Sequence, residues 1–390
     1  MSGFESAVKS EAFRLGFHLV GITTPDPPPH FDVYKSWLKK GMHGSMGYLE
    51  VERTVQRRAD PKVILPECES IIVLGTLHNP TKAYPKYAKG NLGSLVAKDA
   101  GNGLQGRVAA YAWGLDYHDV LVERMETLVQ FIESRIGHEV ANRFYTDTGP
   151  ILERDFAQRA GLGWIGKNTC LINPQAGSYI LLSEILLGVR LKPDEPFLQD
   201  RCGSCRRCIE ACPTGCILPD RTIDSRRCLS YLTIELKGFI PIKLRRDIGN
   251  WVFGCDICQQ VCPWNIKFAQ PVQDSKFSPE MGVPEPDLLI ELQHSADSFN
   301  RQFKGNPIKR AKRSGYLRNV AVAMGNSKSE SAVGGLAQAL FNDGEPLVRA
   351  HAAWALGNIG GRLARDALGD ALVSETNPEV IVEIKKALET

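Results

Sequence analysis

The sequence predicts an α+β fold in three successive units, and three observations carry that prediction. Helix-like and strand-like patterns alternate through the first 190 residues, nine cysteines fall between positions 202 and 262, and a 32-residue helical pattern recurs near the C-terminus. A chain of 390 residues has the length of two or three domains. The boundaries that follow are a mixed α/β unit over 1–190, a cysteine-rich unit over 191–275 and an all-α repeat over 276–390.

In the first unit, residues 4–24 read as a helix and a short strand, stopped by the proline-rich stretch 25–29, and residues 32–40 resume helical spacing. SIIVLGTL at 70–77 is apolar throughout and lies between Pro66 and Asn79-Pro80, the pattern of a buried strand. Val120, Leu121, Met125, Leu128, Val129 and Ile132 share one face of a helix over 118–136. A strand at 142–146 enters the turn Asp147-Thr148-Gly149-Pro150, followed by a helix over 151–160 and an apolar strand at 178–187.

Hydrophobic content of 43% and charged content of 23% are ordinary for a globular chain. The net charge of +3 supports no nucleic-acid argument by itself, so any such argument rests on local clusters. Glu5 and Glu11 interrupt the N-terminal apolar residues, which excludes a signal peptide and leaves an amphipathic helix. The apolar windows are too short or too interrupted to cross a bilayer. A cytoplasmic location follows, and it suits cysteines that must stay reduced.

Cys202 to Pro213 reads C-x2-C-x2-C-x3-C-P, the bacterial run that holds iron–sulfur clusters and whose fourth cysteine serves a second cluster. Cys228, Cys255, Cys258 and Cys262 supply the remaining ligands. The simplest assignment is crossed: Cys202, Cys205, Cys208 and Cys262 on one [4Fe–4S] cluster, with Cys212, Cys228, Cys255 and Cys258 on the other, a ferredoxin-like arrangement. Zinc sites prefer paired knuckles, often with histidine, and neither run contains a histidine. A disulfide framework does not suit a long chain with no sign of secretion. Cys68, Cys170 and Cys216 are left over and read as ordinary buried thiols.

Gly161, Gly163 and Gly166 satisfy G-x-G-x-x-G, as do Gly101, Gly103 and Gly106, but neither set follows a strand and opens a helix. That context excludes a dinucleotide site. In the third unit, Ala323-Met324, Ala355-Leu356 and Ala387-Leu388 recur at 32 residues, the signature of a short HEAT-like solenoid. A basic run containing Lys304, Lys309, Arg310, Lys312, Arg313 and Arg318 leads into it and suits a phosphate backbone. The alternative for this unit is a protein-docking scaffold or a packed helical cap.

Asp147-Thr148-Gly149-Pro150, ERDFAQRAGLGWIGKN and the double cysteine run, taken together, resemble the epoxyqueuosine reductases, cobalamin-dependent iron–sulfur enzymes related to reductive dehalogenases. Arg58-Ala59-Asp60-Pro61, the segment Ala112 to His118 and the segment Gly254 to Asn265 extend the resemblance over nearly the whole chain. The resemblance implies reduction of epoxyqueuosine to queuosine at the tRNA wobble position, with cobalamin bound base-off and fed electrons by the clusters. The corrinoid signature D-x-H-x-x-G is broken here, since Asp116-Tyr117-His118-Asp119-Val120-Leu121 lacks the glycine.

By the same resemblance the catalytic acid falls on Asp147, and Arg58, Lys167, Asn168 and Asp256 fall near the cofactor. Epoxide opening needs a positioned acid, and burial beside a corrin should raise the pKa of Asp147. Without the resemblance, Asp147 reads equally well as a cap for the helix that follows. Lys237 matches a position near the substrate anticodon, and Lys309, Arg310, Lys312 and Arg313 are the expected tRNA contacts, with Lys243, Arg245 and Arg246 extending the track. A low-potential electron donor and a monomeric chain complete the expectation. The rivals are a small-molecule reductive dehalogenase and an electron carrier with a docking repeat.

Overall fold

The structure is a computed structural model that describes residues 2–78, 104–269, 271, 274–280 and 282–389. The first unit runs α1 (Ser2–Arg14), β1 (Leu19–Thr23), α2 (Phe31–Lys39), α3 (Glu52–Ala59), β2 (Ser70–Leu77), β3 (Arg107–Val108), α4 (Tyr117–Ile136), β4 (Asn142–Tyr145), α5 (Glu153–Arg159), β5 (Trp164–Ile165), β6 (Leu171–Ile172) and β7 (Ile180–Leu187). The middle contributes α6 (Arg207–Ala211), α7 (Leu229–Ile234), α8 (Ile242–Arg245), β8 (Trp251–Phe253), α9 (Ile257–Gln260) and α10 (Pro263–Phe268). The last unit adds α11 (Leu288–Glu291), α12 (Ala296–Gln302), α13 (Lys312–Ser327), α14 (Val333–Asn342), α15 (Pro346–Ile359), α16 (Arg362–Ser374) and α17 (Pro378–Leu388).

The main sheet has the order β1-β2-β7-β4 and is antiparallel at every pairing. Helices cover both faces, which is why β2 and β7 read as apolar runs rather than alternating ones. Ile22, Ile72, Leu74, Ile185 and Leu187 pack against α1 and α4, while Ile71, Val73 and Leu186 pack against Phe156 and Ala157 of α5. The rule that sites gather at strand ends of doubly wound sheets belongs to parallel sheets. Asp147 does follow an edge strand, β4, but here tertiary neighbours make the site.

Gly101 and Gly103 lie outside the described residues. The other glycine trio follows α5, and a Cβ on Gly163 would stand 2.2 Å from the Ile172 carbonyl. Its glycines serve the close β5–β6 turn, as the absence of a preceding strand in the sequence implies.

The 32-residue recurrence has a packing cause. Gly325 on α13 and Gly357 on α15 lie where a Cβ would come within 2.8 Å of Ala355 and Ala387 respectively, so α13, α15 and α17 pack backbone to backbone. The repeat is fastened to the middle unit by buried polar ties. Arg245 donates to both carboxylate oxygens of Glu383 at 2.8 and 3.0 Å, and Arg318 donates to the carbonyls of Leu232, Leu236 and Gly238 at 2.7 Å. Removing one partner of such a buried pair costs about 3–5 kcal/mol. Arg245 is therefore part of the joint rather than of an exposed basic track. β3 pairs in parallel with β8, so a strand of the first unit is held by the second.

Candidate functional site

A cavity of about 1200 Å³ opens where the three units meet. Its wall includes Tyr34, Trp37 and Arg58 from the first unit, Ile223 and Lys237 from the second and Arg310 from the third, with Asp147 among them. Cavities for drug-sized ligands span about 300–1,000 Å³, so this one accepts something larger.

Asp147 sits just beyond β4 at a φ of +58°, a left-handed conformation that aspartate adopts more readily than most residues. Its backbone N–H donates to Glu153 Oε1 at 2.6 Å, which pins the turn. It does not cap α5: the N-cap is Leu152. Its carboxylate Oδ2 accepts from Tyr117 Oη at 2.9 Å and from Arg310 Nη1 at 3.2 Å, with His118 Nε2 at 3.6 Å. The side chain is 55% exposed toward the cavity. Burial alone would raise its pKa, but His118, Arg310 and Tyr117 together hold it below the usual carboxylate range. Hydrogen bonds and charge from these neighbours thus outweigh burial at Asp147.

Two further carboxyls lie behind it. Burial first, and the Asp147 charge second, push Glu153 up to about 8. Glu184 is fully buried on β7 with neither carboxyl oxygen partnered among the described residues, and burial followed by Glu153 and Asp147 raises it well above its ordinary value. His118 is gripped by Asp116, whose Oδ1 stands 2.6 Å from its Nδ1. Burial works against its protonation, but hydrogen bonding to Asp116 and Asp147 leaves its pKa raised.

The remaining predicted residues divide. Arg58 is buried in the cavity wall and donates to the Gly149 carbonyl at 3.4 Å, and its Nη1 has no partner among the described residues. Asn168 is buried, and its Nδ2 likewise has no partner among the described residues. Lys167 instead holds the first cysteine loop, donating to the carbonyls of Gly203 and Cys205 at 2.6 and 2.9 Å. Asp256 accepts from the Ala110 N–H at 2.7 Å and ties the 110 segment to α9. Lys237 lines the cavity and donates to the Arg310 carbonyl at 2.9 Å.

Arg310 points at the acid rather than outward, and Arg313 is spent on the His294 carbonyl and Asp343. Lys309 and Lys312 are exposed. The sequence reading missed His118, Glu153 and Glu184 as members of the site. A lone glutamate inside the apolar run ILLSEILL is a signal that could have found the last.

Burial first, and then the charges of Cys202, Cys262 and Cys205, raise the Cys208 thiol, while burial and the charges of Cys228 and Cys212 raise that of Cys255. Cys202 and Cys262 share an apolar patch with Trp164 and Trp264, a shielded setting that fits a cluster. Cys216 and Cys170 are not ordinary core thiols. Cys216 Sγ stands 3.3 Å from Cys212 Sγ, and Cys170 lies against Cys258. Cys68 is an ordinary buried thiol, donating to the Ser70 carbonyl.

Comparison with known proteins follows the same division of the chain. Residues 58–148 match the family model "Epoxyqueuosine reductase QueG, DUF1730", residues 201–265 match "4Fe-4S double cluster binding domain", and residues 311–389 match "HEAT repeats". The epoxyqueuosine reductase of Escherichia coli (strain K12) is 37% identical over 352 residues, covering 90% of this chain and 88% of that protein. That of Pseudomonas aeruginosa is 36% identical over 350 residues, covering 90% and 93%.

A crystal structure of an epoxyqueuosine reductase with an epoxyqueuosine-modified stem loop of tyrosine tRNA superposes with a TM-score of 0.87 at 30% identity, covering 100% of this chain and 98% of that one. A Bacillus subtilis epoxyqueuosine reductase, whose catalytic aspartate loop is swung out of the active site, superposes at 0.85 with 30% identity and coverage of 100% and 99%. With relatives this similar along nine-tenths of its length, the chain belongs to the epoxyqueuosine reductase family.

Proposed function

We propose that this chain reduces epoxyqueuosine to queuosine at the wobble position of tRNA, with cobalamin in the central cavity and electrons arriving through two [4Fe–4S] clusters. The observation that carries the reading is the convergence of Asp147, the cysteine-rich unit and Arg310 of the basic run on one cavity. Cys202, Cys205, Cys208 and Cys262 hold the first cluster, and Cys212, Cys228, Cys255 and Cys258 hold the second.

The cavity fits cobalamin in size. The unpartnered Nη1 of Arg58, in its wall, is a donor suited to amide oxygens at a corrin rim. Bound there, cobalamin would supply a strongly reducing cobalt to the epoxide carbon. The balance is two electrons and two protons in, with the alkene and water out. Asp147 would protonate the opening oxygen; Tyr117 donates to its carboxylate, and Glu153 accepts from its N–H in the turn that carries it. Such a positioned acid contributes about 10²–10⁴-fold. Lys309 and Lys312, exposed beside the cavity mouth residue Arg310, meet RNA phosphates. The electrons come from an external low-potential donor.

Anaerobic purification tests the cofactor part of this reading. One corrinoid and about eight irons per chain are expected for two cubanes, and an anticodon stem-loop RNA should bind. Cys262→Ser should remove the signal of the first cluster and spare the second. Eight irons without any corrinoid would instead favour an electron carrier with a docking repeat.

A further inference from the structure

The proton needed by the epoxide oxygen must reach Asp147, whose Oδ2 accepts from Tyr117 and Arg310. Among the described residues, the titratable and charged groups that interact with the Asp147–His118 pair include Tyr48, Tyr111, Asp116, Tyr117, Glu153, Glu184 and Arg310. Arg310 differs from the rest in origin, because it comes from the basic run of the third unit. Its side chain is 35% exposed, and Lys309 and Lys312 on either side are exposed.

The guanidinium bridges two groups at once, with Nη1 3.2 Å from Asp147 Oδ2 and Nη2 2.5 Å from His118 Nε2. A guanidinium only donates. With Arg310 in place, His118 Nε2 thus faces a donor, while its Nδ1 lies 2.6 Å from Asp116 Oδ1. Nε2 and Asp147 Oδ2 are 3.6 Å apart. Without the guanidinium, an imidazole between two carboxylates favours its charged form and carries a proton aimed at Asp147. Guanidinium pairs with phosphate through two parallel hydrogen bonds, which makes an RNA backbone a strong competitor for it.

We propose that Arg310 is a positioning residue shared between Asp147 and a backbone phosphate of the bound RNA, so that docking of the RNA frees His118 to pass a proton to Asp147. The inference rests on the RNA-substrate reading above. The proton moves from imidazolium Nε2 to the Asp147 carboxylate and on to the epoxide oxygen, His118 reloads from water, and no electron moves in these steps.

Equilibrium binding of an unmodified anticodon stem-loop RNA to the cluster-loaded chain, measured across a salt series, tests it. Arg310→Gln should reduce the magnitude of the log affinity–log salt slope by about 0.7–0.9, one phosphate contact, and Arg310→Lys should restore it. Asp147→Asn should tighten binding about two- to fivefold, the range of one exposed ion pair, when Arg310 is present. In the Arg310→Gln background that gain should vanish.

An unchanged slope in Arg310→Gln, or an equal gain from Asp147→Asn in both backgrounds, overturns the inference and leaves the RNA reading standing. A wild-type chain that binds no stem loop overturns both. If Arg310→Gln does not fold, the same comparison is made in Arg310→Lys, where a point charge lacking the paired geometry should shrink the Asp147→Asn gain. An undiminished gain there counts against the inference.

Discussion

Asp147 and Glu184 are both acids of the first unit, yet their surroundings drive them in opposite directions. Asp147 opens to the cavity and is ringed by Tyr117, His118 and Arg310, so its charge is welcomed. Glu184 lies across from Val73 and Tyr145 in the middle of the sheet, with no partner for either oxygen among the described residues, so its charge is disfavoured. Glu153 stands between these extremes, touching the Asp147 backbone while its own carboxyl stays protonated near neutral pH. Burial is the largest influence on all three acids, and only at Asp147 do the donors and cations within reach outweigh it.

The sharpest way to break this contrast is to neutralise each acid in turn. Asp147→Asn should lower the single-turnover rate about 10²–10⁴-fold, while cofactor loading stays unchanged. Glu184→Gln should leave that rate near the wild type and act on stability instead. The folded pKa of Glu184 is raised, so its unfolded form loses a proton at lower pH than its folded form. Stability is therefore fully present below the unfolded value of about 4.3 and declines as pH rises toward the folded value. Glu184→Gln should raise the Tm at pH 8 by on the order of 2–4 °C, the effect of about 1 kcal/mol, and change little near pH 4. A lowered Tm at pH 8 would mean that the carboxylate is partnered.

Smaller effects should come from Glu153. Glu153→Ala removes the acceptor for the Asp147 N–H, a hydrogen bond worth about 0.5–1.5 kcal/mol, and should slow turnover about two- to tenfold. Glu153→Gln keeps the acceptor and should slow turnover less. Wild-type turnover should fall as pH passes about 8, where Glu153 ionises beside Asp147, and Glu153→Gln should lack that limb. A pH–rate profile of the two proteins checks both statements.

The two regions also differed in how far they could be read in advance. Cluster ligation is written in local spacing, because three thiols within seven residues reach one cubane whatever else the chain does. β2, β7 and α4 were legible for the same reason, through continuous or periodic apolar patterns. The neighbours of Asp147 come from residues 117, 118, 153 and 310, and no local pattern links positions so far apart. Arg310 and Arg313 show the limit most directly. Both sit in one basic run, but one turns to the acid and the other ties a helix, and only the packing of the third unit separates them. Cys170 and Cys216 read as ordinary buried thiols, because neither belongs to a ligand run, yet they abut Cys258 and Cys212.

The measurement closest to the central claim is the nucleoside content of tRNA after reaction. Tyrosine tRNA carrying epoxyqueuosine is incubated anaerobically with the corrinoid- and cluster-loaded chain and a low-potential reductant, then digested and resolved by mass. Queuosine should appear in proportion to the epoxyqueuosine lost, and far more slowly with Asp147→Asn. A fully loaded wild-type chain that leaves epoxyqueuosine untouched would contradict the account.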